Sequence, residues 1–229
     1  MAGRDTGVRI DPITLGITDC WLIQGDGIIL VDTGVPNKAT RFERCLRNLA
    51  IRPEDIRLIV ITHGHYDHIG SARDIKAITG APIAMHHEER VCLEKGRISM
   101  PPGVTPWGRL LIKMRGVAKT FIRVPETDVD IGITEKGLSL SEYGIPGRVI
   151  PTPGHTGGSV SVLLESGEAF VGDLAMNKVP LRFTPGLPIF AEDIHRVKES
   201  WQKLMETGAE SIYPGHGKPF SIDVIRKAL

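Results

Sequence analysis

The chain has 229 residues and a formal net charge of +1 from 28 basic and 27 acidic side chains, so no global field draws it to nucleic acid or to an anionic membrane. Its 41% hydrophobic and 24% charged content is that of a globular protein long enough to bury a core without disulfide or metal staples. Length points to one domain over 1–229, and aliphatic runs as short as Leu58-Ile59-Val60-Ile61 exclude a membrane-spanning helix.

Strand-like and helical stretches alternate along the chain. Residues 20–24 and 28–32 flank Gly25-Asp26-Gly27 and read as a hairpin. Residues 39–49 predict a helix with Ala39, Phe42, Leu46 and Leu49 on one face. The aliphatic run 58–62 predicts a strand covered on both sides. A helix over 69–79 stops at Gly80, and 82–85 is the next strand. From Gly96 to Val124 there are six basic residues and no acid. Leu110, Leu111, Met114, Val117, Ala118, Phe121 and Ile122 recur there at helical spacing, which predicts a basic amphipathic helix inserted around 97–124. A packed helix, a lid, a homodimer contact and a membrane-surface helix all fit that pattern. Strands over 148–151, 160–164 and 169–171 follow. A helix over 192–206 turns Ile194, Val197, Trp201, Leu204 and Met205 inward. A strand over 211–213 and a terminal helix over 222–229 complete the chain. Hairpins mixed with strand–helix units predict an α/β protein with mixed sheets covered by helices.

Three scattered cysteines (Cys20, Cys45 and Cys92) read as small buried thiols, and no apolar signal core follows Met1. Both features lead to the expectation of a reduced, cytoplasmic setting.

The run Thr62-His63-Gly64-His65-Tyr66-Asp67-His68 follows directly on a buried strand, at the strand end where α/β folds place their sites. Three imidazoles and a carboxylate in one turn are costly to bury unless a cation compensates their desolvation. Imidazole and carboxylate together suit zinc, iron or manganese. Further ligand types recur after later strands: His155 in Gly154-His155-Thr156-Gly157, Asp173 after Val171-Gly172, and His216 in Pro214-Gly215-His216-Gly217. His86, His87 and His195 read as bystanders, and Tyr66 as a locally packed side chain.

These motifs, with Val31-Asp32-Thr33-Gly34 before them, resemble those of the metallo-β-lactamase fold superfamily, in its order and over residues 31–217. The resemblance implies an αββα sandwich of two mixed sheets flanked by helices. It implies one metal held by His63, His65 and His155, a second by Asp67, His68 and His216, and a bridging Asp173. Asp32 is then a buried carboxylate that orients the ligand loop. The expected cofactors are two divalent ions, zinc first, with iron or manganese as alternatives. The implied reaction is hydrolysis of a small ester, lactone or thioester by a hydroxide between the metals, with Asp67 or Asp173 moving the proton. Hydrolysis of a phosphodiester or phosphotriester is the alternative, and an iron-dependent oxidoreductase of the persulfide dioxygenase type is the rival from another class.

Departures from related subfamilies narrow the expectation. True metallo-β-lactamases carry Cys or Ser where Asp173 stands. Glyoxalase II enzymes add a helical domain after the last His, whereas thirteen residues follow His216. Acyl-homoserine lactonases place a Tyr at the position of Met176, flavodiiron proteins a Glu at that of His65, and ribonuclease-type members carry large nucleic-acid-binding insertions. Substrate choice then falls to the walls of the site. Trp107 in the inserted helix and Met176, Phe183 and Phe190 in the proline-rich loop after Asp173 are the candidate substrate contacts, forming an apolar mouth for a small molecule with an apolar group.

Overall fold

A computed structural model of the chain describes residues 7–98, 101–115, 123–178 and 184–229. Expectations that fall on Phe121, Leu181 and Phe183 lie outside the described residues.

The first half opens with β1 (Arg9–Leu15), β2 (Thr18–Gln24) and β3 (Ile28–Val31), then α1 (Ala39–Asn48) and β4 (Ile56–Val60). Next come α2 (Tyr66–Ile69), α3 (Ala72–Thr79), β5 (Ile83–His86), α4 (Arg90–Glu94), α5 (Pro106–Arg115) and β6 (Ile131–Ile133). These strands form one six-stranded sheet in the order β1-β2-β3-β4-β5-β6. The second half contributes β7 (Leu138–Ser139), β8 (Gly147–Pro151), β9 (Val160–Leu164), β10 (Glu168–Gly172), α6 (Ile194–Glu206), β11 (Ser211–Pro214), β12 (Phe220–Ser221) and α7 (Asp223–Arg226). Its sheet runs β12-β11-β10-β9-β8-β7. Among the described residues no helix is long and apolar enough to cross a membrane.

Strand alternation explains the layering. In β3 and β4, Ile29, Val31, Leu58 and Val60 point between the sheets and meet Val149, Val160, Val162 and Phe170 of the second sheet. Leu30, Ile59 and Ile61 point the other way and pack beneath Phe42 and Leu46 of α1 and Ala72 and Ile75 of α3. Ala169 and Val171 of β10 face outward beneath Val197, Trp201 and Leu204 of α6. Stretches covered on both faces need aliphatic residues at every position, hence the unbroken run Leu58-Ile59-Val60-Ile61 that follows Arg57 in and just after β4. Each fully buried aliphatic side chain stabilises the fold by about 1.5–3 kcal/mol. The layers are therefore helix, sheet, sheet and helix, the αββα sandwich that the motifs imply.

The hairpin is present, with Trp21 opposite Val31 and Gln24 opposite Ile28. The single helix expected over 69–79 is two, α2 and α3. Ser71 separates them because its hydroxyl donates to Val35 O and accepts from the Lys38 amide. α6 begins at Ile194, because Asp193 accepts from the amides of His195 and Arg196 and caps it. The terminal helix expected over 222–229 spans only Asp223–Arg226. Of the basic helix around 97–124, the described part is α5.

β3, β4, β5 and β6 are parallel neighbours. In the second sheet β10 and β11 are parallel, and β8 shares their direction through antiparallel β9. The C-terminal ends of these strands in each sheet meet along one rim of the sandwich, and that rim carries the chemistry.

Candidate metal centre

Each functional side chain sits just past a strand end. Asp32 follows β3, His63 and His65 follow β4, and α2 carries Asp67 and His68. His155 lies between β8 and β9, Asp173 follows β10 and His216 follows β11. All seven expected ligands and Asp32 are buried. The ligand atoms fall into two groups, His63, His65, His155 and Asp173, and Asp67, His68 and His216, each within 4.8 Å of one another.

The two sheets are locked together at this rim. Trp21 Nε1 of β2 donates to Pro214 O of β11, and α6 is tied to the same rim where Trp201 Nε1 donates to Leu174 O beside Asp173. At Gly172 a Cβ would stand 2.4 Å from Thr62 Oγ1. Only glycine lets the second sheet press so closely on the turn that carries His63.

Asp32 adopts a left-handed backbone, φ 64°, which aspartate tolerates better than most residues. Its carboxylate accepts from the Thr62 amide at 2.8 Å and the Thr62 hydroxyl at 2.9 Å. It also accepts from His68 Nδ1 at 2.8 Å. Because the Thr62 hydroxyl is spent on Asp32, its oxygen accepts from His63 Nδ1 at 3.0 Å. His155 Nδ1 donates to Phe190 O at 2.9 Å and His216 Nδ1 to Ile17 O at 3.0 Å. Four imidazoles thus have Nδ1–H committed outward, and each aims the lone pair of Nε2 inward.

Those lone pairs have nowhere neutral to go. His65 Nδ1 lies 2.9 Å from His63 Nε2 and 3.0 Å from His155 Nε2. One proton on His65 can satisfy only one of the two neighbours. Asp173 Oδ1 stands 3.2 Å from His68 Nε2 and 3.3 Å from His216 Nε2, and Asp67 Oδ2 stands 3.2 Å from His216 Nε2. His68 Nε2 and Asp173 Oδ1 are buried with no hydrogen-bond partner. Nitrogen and oxygen lone pairs held this close repel unless a cation lies among them. Imidazole nitrogens plus carboxylates are the donor set that divalent zinc, iron or manganese takes. The residues therefore fit the expected ions, with His65 offering Nδ1 and the other four imidazoles Nε2.

Electrostatics divide the cluster in the same way. Burial, helped by the neighbouring imidazoles, depresses His63 and pushes His65 down to about 3; burial also depresses His155. Burial opposes the charged form of His216 too, but Asp173 and Asp67 outweigh it and push His216 up to about 10. Asp32 and Asp173 likewise outweigh burial at His68 and raise it. Burial works against ionised Asp67 and Asp173, yet His216 and His68 hold both carboxyls low. The first group is neutral imidazole, ready to ligate. In the second group the carboxylates of Asp32, Asp67 and Asp173 favour positive charge beside His68 and His216, the charge that metal ions would bring.

One carboxylate escaped the sequence reading. Glu89, 8% exposed, lies between β5 and α4. Its Oε2 accepts from the Gly64 amide at 2.9 Å and its Oε1 from the Gly158 amide at 3.2 Å. It ties the His63–His65 turn to the loop of His155. A Cβ at Gly64 would stand 2.6 Å from Glu89 Oε2, and one at Gly158 would stand 2.6 Å from Glu89 Cγ. The two glycines are the only local trace of that brace in the sequence.

A cavity opens on the cluster, lined on its polar side by His65, Asp67, His155, Asp173 and His216 and on its apolar side by Ile17, Tyr66, Met176, Ile189 and Phe190. Of the candidate substrate contacts, Met176 and Phe190 therefore reach it. Trp107 stands on α5, 42% exposed, and does not line it. Phe183 lies outside the described residues.

Comparison with known proteins agrees with this fold. The chain is 26% identical to a probable metallo-hydrolase, YflN, of Bacillus subtilis, over 96% of the chain and 88% of that protein. It is 31% identical to a beta-lactamase-like protein 2 homolog of Caenorhabditis elegans over 93% of the chain, and spans 60% of that longer relative. Among solved structures, the BLEG-1 B3 metallo-beta-lactamase superposes with a TM-score of 0.70 at 22% identity, covering 94% of this chain and 95% of that one. The di-iron-bound form of TTHA1623 superposes with a TM-score of 0.67 at 21% identity, covering 95% and 97%. The family model of the metallo-beta-lactamase superfamily matches residues 13–216, a span holding all seven ligand candidates, and the chain belongs to that superfamily of metal-dependent hydrolases.

Proposed function

We propose that this protein is a dinuclear metallohydrolase that cleaves a small ester, lactone or thioester carrying an apolar group. The observation that carries the reading is the convergence of five imidazole lone pairs and two carboxylates in one buried cluster facing a half-apolar cavity. In this reading His63, His65 and His155 would hold one divalent ion and Asp67, His68 and His216 the other, with the Asp173 carboxylate available to both groups. Two such ions supply Lewis acidity and acidify water to about neutral pH.

The chain's own groups do the rest. Asp67 and Asp173 border the cavity and are held in their basic, ionised form, so either can accept the proton that attacking water loses. Asp32 and Thr62 keep His68 and His63 in the tautomers that face inward. Met176, Ile189 and Phe190 form the apolar wall on which the acyl or alcohol part of the substrate rests. That wall favours carbon-rich esters over phosphodiesters, whose polar arms would find no lysine or arginine lining the cavity among the described residues.

The test is metal analysis of purified protein alongside a panel of esters, lactones, thioesters and phosphoesters. Two ions per chain and the highest kcat/KM on an apolar carboxylic ester, lactone or thioester are expected. A single ion at full activity overturns the dinuclear assignment, and a phosphoester preference overturns the substrate class.

A further inference from the structure

We infer that the outer face of α5 is a docking surface for an anionic lipid bilayer. α5 is seated on the loop that carries Ile189 and Phe190. Val104 N donates to Ile189 O, Ala191 N donates to Pro102 O, and Gly103 bridges to Phe190. Gly108 lies so close that a Cβ there would stand 2.2 Å from Ile189 O. Gly108 therefore marks the buried side of the helix. At 3.6 residues per turn Leu110 stands roughly 200° from Gly108, with Lys113 and Arg109 on one flank and Trp107 on the other. All four are exposed, Leu110 at 46% and Trp107 at 42%.

An outward-pointing leucine beside a tryptophan, with two cations on the same arc, is the layout of an interfacial helix. The apolar pair enters the headgroup boundary and the cations meet lipid phosphates. Charge decides against a second copy of this chain as the occupant. A two-fold contact centred on α5 would bring the Arg109 and Lys113 of both copies together, in a segment, Gly96 to Val124, that holds no acidic residue. Its side chains therefore give this segment a net positive charge of its own. The surface also has a position that suits use. Ile189, on which Gly108 rests, and Phe190, paired with Gly103, belong to the apolar wall of the cavity, so α5 stands between the proposed surface and that wall. Docking itself does not depend on the hydrolase reading.

Co-sedimentation with phosphatidylcholine vesicles, with and without phosphatidylglycerol, tests the proposal. Two basic side chains at about fivefold each predict a partition roughly 30-fold higher on the anionic vesicles. The preference should vanish near 1 M salt, where the Debye length falls to about 3 Å. W107S/L110S should lose binding to both vesicle types, and R109E/K113E should lose the anionic preference. Unchanged urea unfolding of both variants keeps the reading clean, since all four side chains are exposed. Failure to bind anionic vesicles, or equal binding to neutral ones, overturns the proposal. A dimer in solution that Leu110→Ser dissociates would also overturn it, in favour of self-association.

Discussion

Glu89→Gln is the substitution that tests most directly how this site is held. The carboxylate accepts one backbone amide on each oxygen, from Gly64 at 2.9 Å and Gly158 at 3.2 Å. Glutamine keeps the shape but offers one carbonyl oxygen, so one amide faces an NH2 donor and is left buried without an acceptor. Losing a hydrogen bond to a charged group costs about 1.5–3 kcal/mol, and the stranded amide raises the total toward about 3–4 kcal/mol. The loss divides between folding and metal binding, because the amides belong to the turn between His63 and His65 and to the loop after His155. Removing a group that orients metal ligands weakens affinity about 10–100-fold. A zinc competition titration against a chromophoric chelator, paired with urea unfolding of metal-free protein, separates the two shares. Glu88→Gln, one residue away and exposed, should stay within about 0.5 kcal/mol of wild type. Wild-type zinc affinity together with a wild-type unfolding midpoint in Glu89→Gln would refute the brace.

Four further outcomes follow from the site and its scaffold. His216→Ala should leave about one ion per chain by elemental analysis and lower turnover by orders of magnitude; two ions retained at wild-type turnover would remove His216 from the centre. Asp173→Asn keeps the side-chain size but loses the charge beside His68 and His216, so metal affinity and activity should fall while the circular dichroism spectrum stays native. Phe190→Ala, alone and with Phe183→Ala, should change the ranking of kcat/KM among ester substrates at constant metal content, and an unchanged ranking would take Phe190 out of substrate contact. Burial works to raise the Asp130 carboxyl, but bonds from Lys76 and the Ile83 amide outweigh it and hold it below the ordinary value of 3.8. A depressed carboxyl stabilises the fold above its unfolded pKa and loses that contribution as pH falls through its folded pKa. Asp130→Asn should therefore be less stable than wild type at pH 7, with the gap in urea midpoints closing under acid below pH 3.8.

What the sequence alone determined was the part of the site that is local. His63, His65, Asp67 and His68 fall in one turn, so no fold could scatter them, and their desolvation cost makes a cation the economical explanation. His155, Asp173 and His216 were legible because each follows a glycine after a strand. The long strands were legible as well, since β4 from Leu58 on and β9 apart from Ser161 are apolar, as residues between helices on one side and the other sheet on the other must be. β1 was not legible. It is an edge strand that accepts Pro12 opposite Trp21 and carries polar residues, so it has little pattern to read. β6, β7 and β12 have three, two and two residues, too few for any period.

Tertiary structure decided everything that depends on approach across long separations. The inward lone pair of His216 is set by Ile17 O, 199 residues away, and that of His155 by Phe190 O, 35 residues away. Glu89 reads in the sequence as one more surface acid and becomes a brace only because β5 delivers it between two loops. Met176 and Phe190 were equal candidates with Trp107, until packing of Gly108 against Ile189 turned Trp107 to the outside. Spacing along the chain can gather ligands, but hydrogen-bond direction and the choice of which face is buried are properties of contacts that exist only when both sheets have closed on one another.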